Sequence, residues 1–311
     1  MTATSTTNTT APARRRGDVV FSGAARTAGL LILLALAGVA VFLTLEGAPA
    51  LSAGRDVLKT QDNFLAWVWP LVFGTLLAAA LALLIATPLS LGVALVISHY
   101  APSRMAKPLG YLVDLLAAVP SVVYGLWGIG YLGPKLGEPY AWLNDNLGWL
   151  PIFEGPVSST GRTILTAGIV LAIMILPIIT AISREVFLQT PTLHQEAALA
   201  LGATRWEMIR LAVFPYSRSG VVSAIMLGLG RALGETMAVA MVLSQSGLVT
   251  FSLISSDNPS TIAGNIAVNF SDATGLRVNA LIASGLVLFV ITFAVNFAAR
   301  AIVGRAERRS Q

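Results

Sequence analysis

The sequence predicts an all-α integral membrane protein that crosses the bilayer six times. Hydrophobic residues make up 55% of the 311-residue chain and charged residues only 11%, whereas soluble domains carry about 25% charged residues. The apolar residues are gathered in six stretches, each long enough for the roughly 20 residues that a helix needs to cross the hydrocarbon core. The basic residues collect in alternate connecting segments, which is the pattern of a polytopic protein with a defined orientation.

The six predicted spans lie between two polar tails. Residues 1–22 begin with a run rich in Thr, Ser and Ala that cannot bury enough apolar surface to fold, so we expect a disordered tail. We expect residues 23–305 to form the transmembrane domain and residues 306–311 a short C-terminal tail. The predicted spans are Ala24–Leu45, Pro70–Ile97, Pro108–Leu132, Thr163–Leu188, Gly220–Ser244 and Leu276–Val303. Pro88, Pro120 and Pro177 lie inside spans, where the missing N–H predicts kinks.

Lys and Arg placement predicts the orientation of these spans. Fourteen of the 20 basic residues fall in the two tails, in every second connection or at the span ends beside them, while five fall in the remaining connections and Arg231 lies deeper inside a span. Because cytoplasmic segments carry the excess of Lys and Arg, we expect both termini in the cytoplasm. The net charge of +5 then follows from topology and requires no nucleic-acid partner.

The polar segment at residues 190–218 lies on the predicted cytoplasmic side, between the fourth and fifth spans. In it, Glu196, Ala197 and Ala198 are followed by Gly202 and, thirteen residues later, by Pro215. Its few apolar residues predict a short helix that lies in a groove of a cytoplasmic partner. Gly202 predicts a turn at the end of that helix.

This spacing resembles the EAA loop of bacterial ABC importer permeases, although Ala212 and Phe214 stand where Ile and Leu are usual. The resemblance implies the fold of a type I importer permease. It also implies that Glu196, Ala197, Ala198, Gly202 and Pro215 pass force from an ATPase to the membrane domain.

Two ionisable residues in the fifth span are candidates for a substrate path, because charges inside a bilayer are costly and commonly functional. Arg231 and Glu235 are four residues apart, so in a continuous helix they lie on one face and can pair. A guanidinium is permanently charged and its forked donors suit an oxyanion. The alternative is a salt bridge that only locks helix packing. Gly228, Gly230 and Gly234 predict close approach of a neighbouring helix or a substrate.

Asp114 is the other charged residue that looks buried, near the cytoplasmic third of the third predicted span. It could face Arg231 across the bundle, or reach the inner interface near Arg104 and Lys107. We include it with Arg231, Glu235 and Thr236 among candidate pathway and gating residues.

Two further segments resemble one group of importer permeases. Pro120–Gly125 reads PSVVYG and Gly230–Val239 reads GRALGETMAV, which are similar to segments of PstC-type permeases of bacterial phosphate ABC importers. GRALGE is also similar to sulfate and molybdate permeases, which leaves another oxyanion as the alternative substrate. The resemblance implies a bacterial inner-membrane complex with a second PstA-type permease, two PstB-type ATPases and an extracytoplasmic PstS-type phosphate-binding protein.

The chain offers no catalytic or metal-binding constellation. It lacks the glycine-rich phosphate loop of ATPases, and the absence of cysteine excludes thiol catalysis and cysteine metal sites. The resemblance implies that ATP and Mg are bound by the partner ATPase. The sequence therefore predicts a transport subunit rather than an enzyme. An ion-coupled secondary transporter, which would need no ATPase, is the alternative from a different class.

Overall fold

The computed structural model describes residues 16–54, 58 and 61–308, and within them the chain forms twelve α-helices. A 3₁₀ turn (Ala48–Ser52) and three π-helical turns (Val96–Tyr100, Gly128–Leu132 and Ile209–Val213) join or extend some of them. The α-helices are α1 Arg16–Gly47, α2 Phe64–Leu95, α3 Ser103–Ala117, α4 Ser121–Trp127, α5 Gly133–Leu147, α6 Ile164–Leu188, α7 Thr192–Ala200, α8 Arg205–Met208, α9 Phe214–Gly234, α10 Met237–Val242, α11 Ile262–Asn269 and α12 Leu276–Arg308.

The helices confirm the predicted fold class. Five of the described helical segments are long and apolar enough to cross a membrane, and the bent pair α3 and α4–α5 supplies a sixth crossing if it is counted as one span. The predicted tails are shorter than expected, because α1 already begins at Arg16 and α12 continues to Arg308. The rest of those tails, residues 1–15 and 309–311, lies outside the described residues.

Helices α2 and α6 form the centre of the bundle. Small side chains on α2, including Ala78, Ala82 and Ala86, are buried against α6. Gly168 brings the two helices together, since a Cβ there would lie 2.9 Å from the Cβ of Leu81. Close packing of this kind is the main attraction between helices in a bilayer, where apolar side chains gain little by leaving lipid.

The predicted third span is not one straight helix. Helix α3 ends at Ala117, and α4 begins at Ser121 at an angle such that the pair is bent by 87°. Pro120 is the residue before α4 and has extended backbone angles. The break has a plain cause: proline has no N–H to donate to the preceding turn and its ring excludes the residue before it from helical geometry. The kink predicted at Pro120 is confirmed as a sharp bend, while Pro88 and Pro177 lie inside the continuous helices α2 and α6.

Helix α1 packs along α12 at the edge of the bundle. Its leucines are largely exposed in the chain alone, with Leu33 65% and Leu45 69% exposed. In a helix of this hydrophobicity, such a surface faces lipid or another membrane subunit.

The connections opposite the 190–218 segment are tied together through one buried amide. Asn258 is fully buried; its side-chain nitrogen donates to the carbonyl oxygen of Arg162 and its oxygen accepts from the N–H of Ile164. The Arg162 guanidinium in turn donates to the carbonyl oxygens of Met241 and Leu243. These bonds hold the end of α10 against the start of α6.

Candidate functional site

The predicted pairing of Arg231 with Glu235 is wrong. Helix α9 ends at Gly234, and Glu235 has extended backbone angles of φ −68° and ψ 129°. Residues four apart share a face only while the helix continues, so the two side chains diverge here. The carboxylate of Glu235, which is only 9% exposed, instead accepts a hydrogen bond from the N–H of Ala238 at 3.2 Å in the first turn of α10. The ion pairs that the described residues form do not include Arg231 with Glu235.

Arg231 lines the largest of the described cavities, which we call the arginine cavity. Its volume is about 730 Å³. It lies between α9 and α12, and Ile178 of α6 is part of its wall. Its lining residues are Ile178, Ser219, Val222, Ser223, Met226, Leu227, Gly230, Arg231, Asn296, Arg300 and Gly304.

The arginine cavity is positively charged. Its described lining holds two guanidinium groups, those of Arg231 and Arg300, and no acidic residue is among the described lining residues. The Nε of Arg231 is buried and has no hydrogen-bond partner among the described residues. An unpaired cation in apolar surroundings attracts an anion far more strongly than one in water does, so this cavity is suited to a negatively charged ligand.

The three glycines of α9 have different surroundings. A Cβ at Gly228 would lie 2.8 Å from Ile179 of α6, which confirms the predicted close approach of a neighbouring helix there. Gly230 and Gly234 have no neighbouring atoms within 4 Å of that position, and Gly230 lines the arginine cavity.

The two segments around Pro120 and Arg231 meet in space. A Cβ on Gly125 would lie only 2.9 Å from the Cα of Ala238, so α4 and α10 touch through a position that only glycine fits. The preceding Tyr124 donates from its hydroxyl to the carbonyl oxygen of Leu116 at 3.0 Å, and it lies within electrostatic range of Arg231. Thr236 donates from its hydroxyl to the carbonyl oxygen of Gly234. Sequence reasoning named both segments but not their contact.

Asp114 does not face Arg231, so that expectation is wrong. It forms an ion pair with Arg184 of α6, with 3.9 Å between Oδ2 and the nearer guanidinium nitrogen. Both residues line a second cavity of about 470 Å³ together with Lys107, one of the two basic residues named as its alternative neighbours. In the sequence, Arg184 contributes only to the count of basic residues that predicts the orientation. Its position near the end of an apolar span was the signal that could have marked it.

Gly202 forms the predicted turn after the first helix of the 190–218 segment. Helix α7 ends just before it, and Gly202 adopts a positive φ of 86°. The N–H of Gly202 donates to the carbonyl oxygen of Leu199, and that of Ala203 donates to the carbonyl oxygen of Ala198. This pair of bonds is a Schellman motif, which favours glycine at the left-handed position.

The second helix of this segment is held by a capping box. The side chain of Thr204 accepts from the N–H of Glu207 at 3.3 Å, and the Glu207 carboxylate accepts from the N–H and the hydroxyl of Thr204 at 2.7 and 2.8 Å. These hydrogen bonds, the backbone one foremost, hold the pKa of Glu207 below its usual value. Pro215 lies in the first turn of α9, directly after the π-helical turn Ile209–Val213, so the proline stands where the helical hydrogen-bond pattern changes.

The outer face of residues 190–218 is exposed and apolar. Glu196 and Ala197 are exposed, whereas Ala198 packs against a buried cluster that contains Ile209. Large apolar side chains project around them: Leu193 is 74%, Leu201 90%, Trp206 54% and Leu211 67% exposed. We call these four residues the loop's apolar face. A cluster of this size on a polar connection marks an interaction surface.

Comparisons with known proteins identify the family. The family described as "Binding-protein-dependent transport system inner membrane component" matches residues 86–309. This chain belongs to that family. The permease is thus a multi-pass inner-membrane protein and a subunit of a larger ABC transport system.

The permease is similar to curated phosphate transport proteins over nearly its whole length. It is 51% identical over 303 residues to "Phosphate transport system permease protein PstC 2" of Mycobacterium tuberculosis, which covers 93% of each chain. It is 46% identical to PstC of Mycobacterium leprae, over 93% of this chain and 94% of that protein. These relatives confirm the resemblance to PstC-type permeases.

One solved structure supports the fold independently of these relatives. A chain of a bacterial ABC transporter involved in the import of the polysaccharide alginate aligns with a TM-score of 0.50, covering 91% of this chain and 99% of that one at 20% identity. At that identity the likeness concerns the fold alone.

Proposed function

We propose that this permease forms half of the translocation path of an ATP-driven importer of inorganic phosphate. The observation that carries the proposal is the arginine cavity, in which the Nε of Arg231 has no partner among the described residues and none of the described lining residues is acidic. Phosphate carries one to two negative charges near neutral pH, and a cleft whose charges are all of one sign, with low-dielectric walls, concentrates ions of the opposite charge. The names of the mycobacterial relatives support phosphate as the ion.

The second half of the path would come from a homologous PstA-type permease. Arg231 and Arg300 line a cavity that is open along α9 and α12, and the pairing of two membrane subunits would close such a groove into a channel. A PstS-type phosphate-binding protein would deliver the substrate from outside, so that selectivity is set largely before phosphate reaches the cavity. Nucleic acid has no part in this assembly.

Two PstB-type ATPases would drive the transport cycle from the cytoplasm, and they would bind ATP and Mg. The loop's apolar face supports docking of one ATPase because its four side chains are exposed, and Glu196 and Ala197 are exposed on the same short helix as Leu193. Gly202 and the capping box at Thr204 fix the angle between α7 and α8. Motion of the ATPase would therefore pass through α8 into α9, the helix that carries Arg231.

The proposed orientation places both termini and the 190–218 segment in the cytoplasm. The placement of basic residues in the sequence supports it. In this orientation α9 begins at the cytoplasmic side and Arg231 lies deep in the membrane, one turn before the helix ends.

Reconstitution of the complete complex with Arg231→Gln tests the proposal. Glutamine retains hydrogen-bonding capacity but removes the fixed charge, so we expect phosphate uptake into proteoliposomes to fall at least tenfold, about the value of one charge-assisted hydrogen bond. Arg218→Gln is the matched control, because it removes an exposed arginine from the same helix outside the cavity lining.

Three measurements separate the alternatives. Subunit recovery shows whether the variant complex assembles, and uptake of sulfate or molybdate in place of phosphate tests the other oxyanions. Uptake that follows an ion gradient without ATP would indicate a secondary transporter. Normal phosphate uptake by an assembled Arg231→Gln complex would contradict the proposed path.

A further inference from the structure

The arginine cavity extends well beyond Arg231. Its lining on α9 runs from Ser219 to Arg231, twelve residues or about 18 Å of helix. On α12 it includes Asn296, Arg300 and Gly304, which are spaced four residues apart and so form one stripe. The cavity is therefore an elongated groove rather than a pocket around one side chain.

The two arginines lie toward opposite ends of this groove. Helices α9 and α12 belong to consecutive spans and so cross the membrane in opposite directions. The end of α12, where Arg300 and Gly304 lie, is thus level with the start of α9, whereas Arg231 lies near the end of α9. In the proposed orientation Arg300 is on the cytoplasmic side of Arg231.

The polar groups near Arg300 can contact an anion. The side chains of Arg300, Asn296 and Ser219 have no hydrogen-bond or ion-pair partner within the described part of the chain. Ser223 differs, because its hydroxyl donates to the carbonyl oxygen of Ser219 at 2.9 Å. The Arg300 guanidinium and the Asn296 amide one turn deeper are thus the donors that this end of the groove offers.

We propose that Arg300 and Asn296 form a second binding station for the phosphate anion, between Arg231 and the cytoplasm. This inference rests on the proposed function and goes beyond the residues that motif reasoning selected. Conduction needs sites that bind an ion strongly enough to admit it and weakly enough to release it, and several sites in series meet both conditions. Arg231 is half-buried and Arg300 is exposed, so the anion would pass from the stronger site to the weaker one.

The station predicts a kinetic signature. Loss of the Arg300 charge should slow release and lower the maximal rate of uptake about tenfold, as expected for one charge-assisted hydrogen bond. The concentration of phosphate-loaded binding protein that gives half-maximal uptake should change little, because Arg300 lies past the entry side of the path. A residue with a purely structural role would not produce this separation.

A cysteine at this position allows the charge to be removed and then restored. The native chain has no cysteine, so Arg300→Cys introduces a single thiol into this subunit. The complete complex would be treated with methanethiosulfonate reagents that attach a trimethylammonium, a methyl or a sulfonate group. We expect the cationic reagent to restore uptake severalfold and the neutral and anionic reagents to restore none. Arg218→Cys, treated in the same way, is the matched control. The complex that keeps Arg300 is treated as well, and any change in its uptake shows that the reagents act on thiols of other subunits.

Several results would overturn the inference. Full uptake by Arg300→Cys, or equal recovery with the neutral and cationic reagents, would show that the charge at this position does not matter. Loss of the second permease on purification would make Arg300 an assembly contact. A rate defect seen only in vesicles that contain phosphatidylglycerol, and absent from zwitterionic vesicles, would identify a lipid headgroup as the bound phosphate.

The failure of this inference can be told apart from failure of the proposed function. If Arg231→Gln abolishes uptake and Arg300→Cys does not reduce it, the path stands and the second station is wrong. If neither variant reduces uptake, the arginine cavity is not the path.

Discussion

Replacement of Gly125 by alanine should separate α4 from α10 and disturb the region around Arg231. The added Cβ would lie 2.9 Å from the Cα of Ala238, and ordinary contacts begin at about 3.4 Å, so one backbone must move by about 0.5 Å. Overpacking of this kind costs about 1–3 kcal/mol. Alanine also favours a helix over glycine by about 1 kcal/mol, so the net loss is about 0–2 kcal/mol.

Gly130→Ala is the control that isolates the contact. Gly130 lies five residues further along the same bent span, in a π-helical turn, and no neighbouring atom is within 4 Å of its Cβ position. This variant gains from the loss of backbone freedom and meets no neighbour. The difference between the two variants should therefore be close to the overpacking cost, about 1–3 kcal/mol.

Two measurements on the purified complex check this prediction. At a fixed scan rate, the melting temperature of the Gly125→Ala complex should lie below that of Gly130→Ala by about 2–4 °C for each kcal/mol. Phosphate uptake should fall in the first variant and stay near normal in the second, because α10 follows the helix that carries Arg231 after a break of only two residues, Glu235 and Thr236. Equal melting temperatures and equal uptake would refute the contact between the two segments.

Three further predictions concern the 190–218 segment and the proposed orientation. Gly202→Val should lower substrate-stimulated ATP hydrolysis several-fold, because its φ of 86° costs a residue with a side chain about 1–2 kcal/mol, whereas Gly202→Asn should be close to normal; equal activity of the two variants would contradict this. The lowered pKa of Glu207 means that its carboxylate stabilises α8 above its ordinary pKa of 4.5 and loses that effect as the pH falls further. Amide exchange at residues 205–208 should therefore speed up below pH 4.5 and become pH-insensitive in Glu207→Gln apart from the intrinsic rate. Ser159→Cys should react with an impermeant thiol reagent applied from outside, and Gln189→Cys only after the cytoplasmic side is opened; the reverse result would overturn the orientation.

Composition and local pattern were enough to predict much of this fold. The six apolar stretches contain the membrane-crossing helices because hydropathy is a property of each segment by itself. The turn at Gly202 and the break at Pro120 were predictable for the same reason, since each depends on the backbone of one residue.

Features that depend on distant parts of the chain were not predictable. The end of α9 at Gly234 falls inside a stretch that the sequence predicts as one continuous span, so the expected pairing of Arg231 with Glu235 is wrong for a reason that lies in the backbone. The contact of Gly125 with Ala238 joins residues more than 100 positions apart. The pattern of residues within one helix does not show which of its glycines contacts another helix, or which helix that is.

The break after Gly234 has a consequence for how Arg231 can work. In a continuous helix a carboxylate four residues away would neutralise the guanidinium and compete with an incoming dianion. Here the Glu235 carboxylate turns toward α10 and accepts from the N–H of Ala238, which uses an acceptor that would otherwise face Arg231. The acid is thus kept in the membrane by a backbone donor rather than by the arginine. Arg231 keeps its charge for the cavity, and its Nε has no partner among the described residues. The short break between α9 and α10 keeps the Glu235 carboxylate away from the Arg231 guanidinium.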